Sequence, residues 1–179
     1  MKIPIYKPQI DSEELKNVLS CLESTWISSK GAFIEEFESG FASYTNIRYA
    51  TTVANGTVAL HLALLALGIG KDDEVILPAL SYVASANAIL YCNAKPVFVD
   101  IEEKYWQLDI RRIEEKITSK TKAIMAVHLY GHPTDMIALR EMCNKYNLFL
   151  IEDCAEAIGS FDQGRHVGSL SDISTFSFF

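Results

Sequence analysis

Leu148-Phe-Leu-Ile-Glu-Asp-Cys-Ala-Glu-Ala-Ile-Gly159 is a short apolar run that ends abruptly in acid. Read as a strand over residues 148–151, it is long enough to cross a sheet buried on both faces, and its C-terminal end delivers Glu152 and Asp153 to the rim. Open α/β sheets bind ligands at that rim. A carboxylate held there is costly to desolvate unless it meets a cation. Asp153 therefore points to a positively charged partner, although an ordinary strand end with an acidic loop would look the same in isolation.

Outward from this strand the pattern is a regular alternation. Strands are expected over residues 49–53, 74–77 (ended by Pro78), 97–99, 123–127 and 173–178. Helices are expected over 57–67 and 81–91, from Asp109 as cap through Ile117, and from Asp135 as cap to about Tyr146. Strands alternating with helices give βαβ units, hence an α/β fold with three layers and a mostly parallel sheet. Ahead of them, residues 1–47 read as an arm kept extended by Pro4 and Pro8, then two helices. Asp11 is a plausible N-cap with Glu14 at the capping-box position, and Leu15, Val18, Leu19 and Leu22 follow at helical spacing. The second helix sets Phe33, Ile34, Phe37 and Phe41 on one face. The arm and helices (1–47) and the sheet region (48–179) are read together as a single structural domain.

Of the 179 residues 49% are hydrophobic and 22% charged, enough for a sizeable core. The net charge of −7 argues against nucleic acid or an anionic membrane as partner. Cys21, Cys92, Cys143 and Cys154 show no C-x-x-C pairing, which suits reduced thiols. The opening Met-Lys-Ile-Pro-Ile lacks the apolar stretch of a signal peptide. The most apolar window, 58–69, is too short to span a bilayer and carries His61. A cytoplasmic protein is the expectation.

Three features fall on the rim. Ala54-Asn55-Gly56-Thr57 joins a strand to an apolar helix, where Gly56, the helix-start N–H groups and the Thr57 hydroxyl suit a phosphate; a plain turn capped by Thr57 fits equally well. Pro78-Ala-Leu-Ser-Tyr82 follows the next strand, and Tyr82 there either stacks on a flat ring or packs beneath its own helix. Asp153 supplies a carboxylate for a cationic nitrogen. Other signals carry less. Gly68-Ile-Gly70 follows a helix and lacks the third glycine of a dinucleotide fingerprint. His128 and His132 have metal-like spacing, but Gly131 and Pro133 forbid one helix face, so no metal is assigned. Cys154 reads as a buried, inert thiol.

A phosphate cradle, a stacking ring and a carboxylate for a ring nitrogen are the contacts of pyridoxal 5'-phosphate (PLP). The chain resembles the fold-type-I sugar-nucleotide aminotransferases of the DegT type. The resemblance is carried by Trp26-Ile-Ser-Ser-Lys-Gly31, Asn55-Gly-Thr-Val-Ala-Leu60, Leu77-Pro-Ala-Leu-Ser-Tyr-Val-Ala-Ser85, Pro96-Val-Phe-Val-Asp100, Val127-His-Leu-Tyr-Gly131, Glu152-Asp-Cys-Ala-Glu-Ala157 and Ser174-Thr-Phe-Ser-Phe-Phe179. It implies the large domain of a PLP-dependent transferase, with Asn55, Gly56, Thr57 and Ser177 at the cofactor phosphate, Tyr82 stacked on the ring and Asp153 on its nitrogen. It places Glu156 near the ring's 3-oxygen and Trp26 and Tyr130 at the border of the substrate. The implied reaction moves an amino group, with glutamate as donor, onto a nucleotide-linked 4-keto-6-deoxysugar for surface polysaccharide, in a homodimer. In the family a Schiff-base lysine follows the stretch resembling residues 175–179, whereas no lysine follows Lys145 here. The domain is therefore expected to be incomplete at its C-terminus, with that lysine just beyond Phe179 and the chain inactive alone. Two alternatives stay open: a sugar 3-dehydratase of the same family, in which histidine replaces the lysine, and a non-catalytic remnant or half of a split enzyme.

Overall fold

The computed structural model describes residues 8–178. The extended arm expected at Pro4 lies outside them. Helix α1 (Ser12–Ser24) opens on the expected capping box, with the Asp11 carboxylate accepting from the Glu13 N–H and Glu14 returning to the Asp11 N–H at 2.8 Å. It buries none of its residues: Leu15, Val18, Leu19 and Leu22 are all exposed. Helix α2 (Ala32–Thr45) does pack, Phe41 meeting Phe176 edge-on at 4.9 Å between ring centroids.

Next come α3 (Gly56–Ala66), β1 (Glu74–Pro78), α4 (Val83–Tyr91), β2 (Lys95–Val99), β3 (Thr121–Val127), α5 (Met136–Tyr146), β4 (Phe149–Asp153), the two-residue strands β5 (Phe161–Asp162) and β6 (Arg165–His166), and β7 (Ile173–Thr175). The main sheet runs β2-β1-β3-β4-β7, and every pairing in it is parallel. Side chains alternate strictly across it. Val75, Leu77, Ala123, Met125 and Ile151 pack with Leu60 and Leu64 of α3 and Ile89 of α4. Ile76, Ile124, Ala126 and Leu150 pack on the other face with Met136, Leu139 and Cys143 of α5. Helices thus cover both faces, the three layers read from the alternation. Each fully buried leucine or isoleucine contributes about 1.5–3 kcal/mol, so these two slabs fix the register of β4 and hence the facing of the residues at its end.

Three elements depart from the sequence reading. Residues 49–53 form no strand. The Thr52 N–H goes to the Glu38 carboxylate at 2.7 Å instead, and a cleft of about 710 Å³ separates this segment from Ile173 and Thr175. Its composition suits a strand, but among the described residues it pairs with no strand of the sheet. Residues 109–117 form two 3₁₀ turns, Ile110–Arg112 and Glu114–Lys116, rather than one helix, although Asp109 does cap the first through the Arg111 N–H. The last strand stops at Thr175 rather than 178. An antiparallel hairpin not anticipated, β5–β6, turns at Gln163 (φ 47°) and Gly164 (φ 79°), the paired positive φ values of a type I′ turn.

Candidate active site at the ends of the strands

Asp153 is the last residue of β4, opposite Val127 of β3 and Thr175 of β7. Alternation turns its side chain to the face of α3 and α4, where it is 5% exposed. There Ser85 Oγ of α4 donates to Oδ2 at 2.8 Å, and the Ala155 N–H donates to Oδ1 at 3.2 Å. Both donors are uncharged, and among the described residues no lysine or arginine forms an ion pair with it. Burial pushes its pKa up, against the opposing pull of these two hydrogen bonds.

Glu152, one residue earlier, faces the other way. It is fully buried and accepts from His128 Nε2 at 3.0 Å, the Gly168 N–H at 2.8 Å and the Leu170 N–H at 3.0 Å. The Thr134 N–H donates to His128 Nδ1 at 3.1 Å, so the ring proton sits on Nε2 and points at Glu152. Burial would raise this carboxyl, yet the bonds from His128 and Gly168 hold it below the usual range. Glu152 is therefore not delivered to the rim as the sequence suggested; it ties β3, β4 and the 166–170 loop together. His128, Glu152 and Cys154 lie within 4.8 Å of one another, but both histidine nitrogens are already engaged and the thiol is pushed well above its ordinary value by burial, so the trio is structural. His132, the other half of the metal-like spacing, stacks instead on Tyr105 at 4.5 Å.

The start of α3 forms the second wall. Asn55, not Thr57, is the cap: its Oδ1 accepts the Val58 N–H at 3.0 Å. The first-turn N–H groups of Gly56 and Thr57 have no intrahelical acceptor. A Cβ built on Gly56 would lie 2.8 Å from Ser177 Cβ and 3.1 Å from its Oγ, so only glycine lets Ser177 close against the helix start. Tyr82 is the N-cap residue of α4, 73% exposed and standing at the rim rather than beneath its helix. On the opposite side Tyr130, in the left-handed region (φ 53°), donates its N–H to Glu156 Oε2 at 2.7 Å and meets Trp106 edge-on. The carboxylate expected near a ring oxygen is thus engaged in holding the Tyr130 backbone. Trp26 is not brought to this group; it stays exposed on the loop between α1 and α2. Ser85 was missed as a site residue. Its signal was the four-residue spacing from Ser81, in the turn just before α4, whose hydroxyl lies 2.8 Å from that of Ser85.

Together these residues set the start of α3, closed against Ser177, and the buried Asp153 carboxylate at the ends of the strands of one parallel α/β domain. The chain belongs to the DegT/DnrJ/EryC1/StrS aminotransferase family, whose model matches residues 8–179. It is 59% identical over 177 residues to GDP-perosamine synthase of Escherichia coli O157:H7, covering 99% of this chain and 49% of that protein. The fold matches the X-ray structure of an aminotransferase from Psychrobacter cryohalolentis at a TM-score of 0.93 and 38% identity, over 96% of this chain and 44% of the other. It also matches NtdA of Bacillus subtilis with its cofactor PMP bound, at a TM-score of 0.86 and 39% identity, over 94% and 39% of the two chains. The chain spans about half the length of the curated relatives it matches. No helix among the described residues is long and apolar enough to cross a membrane.

Proposed function

We propose that the protein is a PLP-dependent aminotransferase that transfers an amino group, with glutamate as donor, to a nucleotide-linked 4-keto-6-deoxysugar, and that it works as a cytoplasmic homodimer in surface-polysaccharide synthesis. The observation that carries the cofactor is Asp153: a carboxylate 5% exposed, with only neutral donors, at the rim that also holds the Gly56–Ser177 cradle. The high identity to a GDP-perosamine synthase supports the sugar class.

PLP, when bound, supplies an aldehyde and a protonated ring that accepts electron density. The chain's own contribution is to place and charge it. Gly56 and Thr57 N–H groups with the Ser177 hydroxyl would hold the phosphate, and the exposed face of Tyr82 would cover the ring. Asp153 would hold a proton on the ring nitrogen; attraction at about 3 Å is roughly 5 kcal/mol at an effective dielectric near 20. None of the chain's lysines is assigned to the aldehyde.

The test is a PLP titration followed by absorbance across pH. With Asp153 present the bound ring keeps its nitrogen protonated through the range in which free cofactor loses that proton. Asp153→Asn retains most of the affinity but shows the titration, and its turnover in the complete enzyme falls severely. The reading fails if the pH response of Asp153→Asn matches that of the parent.

A further inference from the structure

Asp153 is held from one side by a single hydroxyl. Ser85 is fully buried in the first turn of α4, its Oγ 2.8 Å from Asp153 Oδ2, across 68 residues of sequence. Ser81 Oγ lies 2.8 Å from Ser85 Oγ, in the turn that precedes the helix. A carboxylate cannot donate, so the Ser85 proton points at Asp153 when Asp153 is charged; a bond between the two serines then runs from Ser81, whose single proton also has the Tyr82 carbonyl as an acceptor at 3.1 Å. The two hydroxyls form a short chain from the rim to the buried carboxylate, starting beside Tyr82.

We infer that Ser85 is a positioning residue that fixes the Asp153 carboxylate and favours its charged form, with Ser81 reinforcing it. The inference rests on the reading of the site given above. Burial works against the charge of Asp153, and the Ser85 hydrogen bond is the strongest opposing influence. The other groups acting on it are the Ala155 N–H and the Glu156 carboxylate from its own loop and His128 after β3; Thr175, its uncharged register partner on β7, turns its hydroxyl to the Glu152 carbonyl. Glu156 opposes the charge and His128 favours it, but neither hydrogen-bonds to the carboxylate oxygens. Ser85 alone among these side chains touches an oxygen of Asp153 and also fixes the distance between α4, which carries Tyr82, and β4.

The experiment is a carboxyl titration of the cofactor-free protein labelled with ¹³C-aspartate, the Asp153 resonance being assigned by its loss in Asp153→Asn. Ser85→Ala should raise its midpoint, increasing proton affinity by about tenfold, the size of a lost hydrogen bond to a charged group. Ser85→Thr, which keeps the hydroxyl, should restore the parent midpoint, and Ser81→Ala should shift it the same way by less. An unchanged midpoint in Ser85→Ala, or a Ser85→Thr curve that follows the alanine variant, overturns the inference. Should Ser85→Ala unfold, Ser81→Ala decides, because it leaves the contact with Asp153 in place; no rise there overturns it too. A parent protein that shows this coupling yet binds no PLP would sink the cofactor reading and leave the coupling intact.

Discussion

Glu152 and Asp153 are neighbours at the end of one strand, both acidic, both buried, and their surroundings treat them oppositely. Glu152 receives two backbone N–H groups and a histidine N–H, and its carboxyl is held below the ordinary range. Asp153 receives one hydroxyl and one N–H, and burial leaves its carboxyl above it. A buried carboxylate fully supplied with donors belongs to the scaffold. One left short of positive charge is, on the function proposed, where a cation from outside would bind. The period of two along a strand makes the difference, by sending one side chain to the 166–170 loop and the other to α4.

The largest test of this contrast is removal of each side chain. Glu152→Ala leaves the His128 Nε2–H and the Gly168 and Leu170 N–H groups without an acceptor in a dry interior. Denaturant unfolding should show a loss of about 3–5 kcal/mol, because each donor left unsatisfied in the interior costs roughly 1–3 kcal/mol. Asp153→Asn in the cofactor-free protein should be neutral or stabilising, because it removes an unwelcome charge. Equal losses at the two positions would dissolve the distinction.

A smaller, sharper test uses pH. The folded value of Glu152 lies below its reference of 4.5, so its contribution is present above that pH and lost as pH falls through the folded value. The folded value of Asp153 lies above its reference of 3.8, so stability is full below 3.8 and declines as pH rises through the folded value. Glu152→Gln should therefore flatten the loss of cofactor-free stability on falling pH, and Asp153→Asn the decline on rising pH above 3.8. Saturating PLP should abolish the second decline, since the carboxylate then has its cation. A profile in which both variants flatten the same limb contradicts the assignment.

Much of this was legible in the chain. The apolar run before Glu152-Asp153 gives the strand, and the alternation of strands and helices gives the layers. Tyr82 stands out because it follows β1, and Gly56 because it follows the run 49–53, which reads as a strand and forms none. What could not be read is what each carboxylate meets. Two of the three donors to Glu152 come from Gly168 and Leu170, in an irregular loop with no periodicity, so nothing in the sequence separates its surroundings from those of Asp153. The same blindness to partners made 49–53 look like a strand, since a pattern specifies a side-chain face but not a neighbour with which to pair. At 109–117 the isoleucines at 110, 113 and 117 fit an α-helix as well as successive 3₁₀ turns, and the i→i+3 bonds from Ile113 N to Ile110 O and Lys116 N to Ile113 O decide for the turns.

The smallest expected effect concerns Glu156, an exposed carboxylate whose charge adds to the upward push on Asp153. Glutamine at this position keeps a carbonyl oxygen to accept the Tyr130 N–H, so the loop should hold its shape while the charge is lost. Without that repulsion Asp153 ionises more readily, and its limb of the cofactor-free stability profile should move toward lower pH. The change should be roughly 0.2–0.5 kcal/mol, because the interaction passes partly through solvent. Charge and structure can be told apart with salt: at about 1 M the screening length is near 3 Å, and a charge effect of this kind fades. A shift of unchanged size in high salt would mean that Glu156 acts on Asp153 through the Tyr130 backbone instead. A shift toward higher pH would mean that the repulsion between the two carboxylates has been given the wrong sign.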